Sequence, residues 1–187
     1  YLLLIFSSTY LSSQLRIEIT EGSDEPIRVA MVPFEWKLNS APSQYLHEIV
    51  KKDLESFAEF AVLNPEDMLS YPSSEEEISY RDWRLLKVDY LIIGSVLKSE
   101  IAGEINISYS ILDVSRRKNI HKALIKGSVK SLKRMGHNIS DRIYHKINGI
   151  PGIFSTRIAY VDKPLSNAES YDLRITDIDG DGDMDIV

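Results

Sequence analysis

Val88-Asp89-Tyr90-Leu91-Ile92-Ile93-Gly94-Ser95-Val96-Leu97 is the stretch on which the fold turns. It is nearly all apolar and rich in β-branched residues, the pattern of a strand covered on both faces. Upstream, Ile27 to Phe34 (IRVAMVPF) reads the same way, with Pro33 at its end because proline donates nothing to a ladder. Downstream, Ile105, Ile107, Tyr109 and Ile111 alternate with Glu104, Asn106, Ser108 and Ser110. That period of two marks an antiparallel strand with one polar face. Ala102-Gly103 turns the chain into it, Arg116-Arg117-Lys118-Asn119 turns it out, and Ile120 to Val129 returns.

Helical periodicity fills the gaps. Leu46, Ile49, Val50, Leu54 and Phe57 predict a helix from about Ser43, its N-cap, to Ser56. Phe60 to Leu63 is a short strand, Asn64 to Asp67 a helical turn, and Pro72 to Glu77 a solvated loop. Tyr80 to Leu86 is a short helix presenting Trp83. Leu132, Met135, Ile139, Ile143 and Ile147 share one face of a long helix that Gly149 closes. The fold class is α/β: a mixed sheet with two main helices packed on it, in one domain of residues 25–149. After Gly149-Ile150-Pro151-Gly152 the helical pattern stops. Phe154 to Val161 and Tyr171 to Ile178 read as strands around a polar loop, the start of an all-β module.

The 187 residues are 43% hydrophobic and 27% charged, a globular composition that excludes collagen, coiled coil and wholesale disorder. Without cysteine there are no disulfides, thiolate metal sites or thiol nucleophiles. No apolar run reaches the ~18–20 residues of a membrane span. The net charge of −6 is concentrated in Asp177, Asp179, Asp181, Asp183 and Asp185. Residues 116–146 are the reverse, with ten Lys/Arg against Asp141 alone. Tyr144 is the sole Phe, Tyr or Trp there, and the cations are split between a turn, a strand and a helix. This favours a solvated or anionic-partner-facing surface, and no nucleic acid partner.

Tyr1-Leu2-Leu3-Leu4-Ile5-Phe6 followed by Ser7 to Ser13 has the apolar and small-polar segments of a secretory signal without its basic start. Residues 1–13 are read as a signal-peptide remnant. Residues 14–24 are read as an N-terminal arm in which Leu15, Ile17 and Ile19 alternate with polar residues. The chain stops at Asp185-Ile186-Val187, in what reads as the start of a strand, so the frame looks truncated.

Four blocks, in order, resemble the TolB family, the periplasmic component of the Tol–Pal system of Gram-negative bacteria. They are Leu15 to Ile19, Pro26 to Trp36, Asp82 to Gly94, and Ile139 to Val161. The last (ISDRIYHKINGIPGIFSTRIAYV) is the most specific and resembles the family's junction between its α/β domain and its β-propeller. The resemblance implies that residues 150–187 are the first hairpin of a truncated propeller. It implies a non-enzymatic adaptor that maintains outer-membrane integrity, aids constriction at division and is used for bacteriocin import. Its partners would be a TolA-like inner-membrane protein and a Pal-like lipoprotein, the latter through propeller loops beyond residue 187. The TolA-contacting arm maps to Gln14, Leu15, Arg16, Ile17, Glu18, Ile19 and Thr20. Its alternation suits addition to a partner's sheet edge, or packing on its own domain.

The C-terminal acidic string departs from the family pattern. Asp177, Asp179, Asp181, Asp183 and Asp185, with Gly182 at the sharp turn, have the spacing of a calcium loop. They also resemble the calcium turns of integrin-type repeats, so the alternative function is a calcium-dependent surface or adhesion protein. The plainer reading is a solvated hairpin turn. No other cofactor is expected. His137, Asp141 and His145, four residues apart on one helix, have metal-ligand spacing, but the face they share reads as solvated. No nucleophile elbow, phosphate loop or dinucleotide fingerprint occurs.

Overall fold

The computed structural model describes residues 25–162, 172–180 and 185–186. The signal-like segment and the candidate arm Gln14–Thr20 lie outside the described residues.

The apolar run at 88–97 supplies the hub of the main sheet. In chain order the strands are β1 (Ile27–Met31), β2 (Glu35–Lys37), β3 (Phe60–Val62), β4 (Tyr90–Lys98), β5 (Glu104–Asp113) and β6 (Lys118–Ser128). β4 is the hub. β1 and β2 lie parallel to it along one side, β1 against Tyr90–Ile92 and β2 against Ser95–Leu97. β5 runs antiparallel along the other side, and β6 pairs with β5. β3 adds parallel to β1, giving the order β3-β1-β4-β5-β6. The sheet is therefore mixed, as the sequence order implies. The run 27–34 is not one strand: β1 stops at Met31, Pro33 interrupts the ladder, and β2 resumes beyond it.

Alternation along the strands splits the core in two. Val29, Met31, Ile92, Val96, Ile107 and Ile111 face α1 (Leu46–Glu55) and α3 (Leu132–Asn148). Ala30, Val32, Leu91 and Ile93 face the other way, onto Trp83 of α2 (Tyr80–Leu85). Trp83 is buried there. α1 begins later than Ser43: Tyr45 is its N-cap, and the Tyr45 N–H donates to Glu48 Oε2 at 3.0 Å. Gly149 closes α3 in the left-handed region at φ 77°, its N–H donating to the His145 carbonyl at 2.9 Å.

Two further expectations change. The 72–77 segment is not simply solvated, because Pro72 is buried and Glu75 accepts from Asn119 Nδ2 at 2.6 Å. Phe154 is not in a strand. It is a core residue, 1% exposed, with its ring 5.2 Å from that of Phe57, and β7 (Arg157–Asp162) begins three residues later. β7 pairs antiparallel with β8 (Asp172–Asp177), and β9 (Asp185–Ile186) adds to β8. Among the described residues, no helix is long and apolar enough to cross a membrane.

Gly94 sits where β4 passes Phe34. A Cβ there would lie 2.5 Å from the Ser108 carbonyl oxygen and 2.8 Å from the Phe34 ring. Gly94→Ala is expected to destabilise the chain by about 1–3 kcal/mol, the usual cost of overpacking. Urea unfolding checks this, and an unchanged midpoint would contradict it.

Candidate functional site

α1 and α3 approach closely because Gly136 has no side chain. A Cβ there would lie 2.7 Å from Ile49 Cγ2. The approach buries a second face of α3, which carries His137 and Ser140, against Asp53 of α1. A buried carboxylate is costly unless its oxygens accept hydrogen bonds. Asp53 Oδ2 accepts from His137 Nδ1 at 2.9 Å and from the Ser140 hydroxyl. Because a carboxylate only accepts, Nδ1 carries a proton and Nε2 is turned outward. Nε2 is buried, has no hydrogen-bond partner, and lies 3.9 Å from Asp179 Oδ2.

Burial opposes charge on His137. The Asp53 hydrogen bond and charge, with Asp179 behind them, outweigh it and the repulsion from Lys133, so the pKa is raised above the ordinary 6.5.

The same helix fastens the β7–β8 hairpin. Lys133 Nζ lies 2.7 Å from Asp177 Oδ2 and 3.8 Å from Asp179 Oδ2, and Lys52 of α1 reaches Asp179 at 3.3 Å. Asp141 accepts from the backbone N–H groups of Phe154 at 2.7 Å and Ser155 at 3.1 Å, and from the Ser155 hydroxyl. Beside these contacts a cleft of 560 Å³ opens between the start of α3 and β8.

Asp53, His137 and Asp179 offer ligand atoms within 4.8 Å of one another, close enough to surround a metal ion. Two lysines already supply positive charge to Asp179. Ser140 donates to Asp53 rather than to His137 and is fully buried, so the three side chains do not form a nucleophilic triad.

Of the acidic string, the structure brings Asp177 and Asp179 together around Lys133. Asp181 and Asp183 lie outside the described residues, as does the side chain of Asp185. The helical trio does not act together. His137 is buried on Asp53, Asp141 binds the 154–155 backbone, and the face is not a solvated one. Asp53 escapes a reading of the sequence, being 84 residues from His137. The available signal is the small pair Gly136 and Ser140 flanking His137, which marks a second buried face.

The TolB amino-terminal domain model matches residues 15–120. The Tol-Pal system protein TolB of Alcanivorax borkumensis is 38% identical over 168 residues, 90% of this chain and 38% of its own length. That of Hahella chejuensis is 35% identical over 181 residues, 96% of this chain and 42% of its own. The crystal structure of TolB from Acinetobacter baumannii superposes with a TM-score of 0.69 at 31% identity, covering 85% of this chain and 38% of that one. The chain thus spans about two fifths of the length of these relatives.

Because folding raises the His137 pKa, its contribution to stability is complete below about pH 6.5 and is lost as pH rises through the folded-state value. Urea unfolding from about pH 5 to about pH 9 is expected to show this loss in the wild type and not in His137→Gln. The same pH dependence in both would contradict the assignment.

Proposed function

This chain belongs to the TolB amino-terminal-domain family, and we propose that it is part of a periplasmic Tol–Pal component that works by binding proteins. The match over residues 15–120 carries the reading, supported by the fold shared with the Acinetobacter baumannii protein. On this reading the adaptor maintains outer-membrane integrity, aids constriction at division and serves bacteriocin import. Residues 1–13 are a signal remnant, 25–149 the α/β domain and 150–187 the start of a propeller. A Pal-like lipoprotein would bind that propeller. Calcium at the acidic turn is a proposal of spacing alone. The adhesion alternative has no support among the relatives.

The arm Gln14–Thr20 is proposed to add as a strand to a TolA-like partner. Deleting it is expected to weaken binding to the periplasmic domain of a TolA-like protein by at least about tenfold, with the circular dichroism spectrum unchanged. Calorimetric titration checks this, and undiminished binding would contradict the assignment.

A further inference from the structure

Between His137 and the turn after β8, two hydrogen-bond acceptors stand face to face. Because Nδ1 donates to Asp53, the His137 Nε2 presents a lone pair. His137 is 3% exposed, and among the described residues its Nε2 has no hydrogen-bond partner. Asp179 Oδ2 lies 3.9 Å away and, as a carboxylate oxygen, also offers only lone pairs. Lys133 and Lys52 reach Asp179 at 3.8 and 3.3 Å, yet neither donates to Nε2. Buried polar atoms are rarely left unsatisfied. A cation that accepts from both atoms would satisfy this pair.

The donors fit a divalent ion of the zinc class. A nitrogen and an oxygen bonded to one zinc stand ~3.4 Å apart at the tetrahedral angle and ~4.2 Å apart in line. The observed 3.9 Å falls between, so a small rotation of the Asp179 carboxylate seats the ion. Asp53 supports the arrangement from behind. A carboxylate that accepts from the far ring N–H fixes the tautomer and orientation of a metal-bound histidine. Asp53, Asp177 and Asp179 also outnumber Lys52 and Lys133 around the gap, which favours a dication. The adjoining cleft, which His137 lines, gives the ion a path in and room for water ligands.

We propose that His137 Nε2 and Asp179 hold a zinc-class divalent ion, with Asp53 orienting the imidazole, and that the ion ties the turn after β8 to α3. An imidazole nitrogen selects such metals over calcium, which takes oxygen ligands. The site is thus separate from the calcium loop proposed from spacing, which needs no histidine. Because Lys133 already approaches Asp179, its ammonium and the metal compete for that carboxylate.

Calorimetric titration of the 187-residue chain with zinc chloride at about pH 7.5 tests this. One saturable site is expected, weakened at least about tenfold by His137→Gln and by Asp179→Asn. His121→Gln, on β6, is expected to leave it unchanged. Lys133→Gln is expected to tighten it at least about threefold by removing the competing charge. Calcium chloride at equal concentration should not displace the zinc. In the wild type, zinc should shift the nitrogen NMR resonance of His137 Nε2 and slow amide exchange in β8, a readout that depends on no variant folding. Equal zinc affinity in all variants would mean adventitious binding to surface side chains and overturn the proposal. Displacement by calcium, weaker binding in Lys133→Gln, or an unmoved His137 resonance would each overturn it as well.

Discussion

The Asp53 carboxylate is buried between two helices, and its acceptance of the His137 and Ser140 hydrogen bonds makes that burial tolerable. The surrounding geometry depends on it. Gly136 permits the approach of α1 and α3, the approach buries Asp53, and Asp53 fixes the tautomer of His137. The outward Nε2 then faces the turn after β8 and the cleft beside it. One buried interaction thus links the packing of the α/β domain to the position of the β7–β8 hairpin.

α3 is the shared element. Its apolar face packs on the sheet, its small-residue face on α1, and its polar positions hold the junction and the hairpin. Asp141 binds the backbone at 154–155, while Lys133 binds Asp177. Phe154, packed against Phe57 and Tyr144, seals the junction into the core. The hairpin is anchored by charge and by an aromatic plug together, so the junction belongs to the core of the domain.

The central strands are legible in the sequence because a strand covered on both faces must be apolar throughout, as Leu91 to Ile93 are. α3 is legible from its period and from Gly149. The division of β1 from β2 is only half legible, since Pro33 marks an interruption without saying that pairing with β4 resumes. Phe154 reads as strand because an aromatic beside Ile153 fits that pattern locally. Its partner Phe57 comes from distant chain, and Tyr144 from the preceding helix. His137 stands out by metal spacing along its own helix, whereas its real partner is on α1. Side-chain spacing within one helix reports neighbours on that helix and says nothing of what another helix brings.

The central claim is that the buried Asp53 network couples the α1–α3 packing to the hairpin. Amide hydrogen exchange on the wild type and Asp53→Asn tests it most directly. Protection is expected to fall together on α1, α3 and the paired residues of β7 and β8. Loss of protection on α1 and α3 with β7 and β8 unchanged would contradict the account.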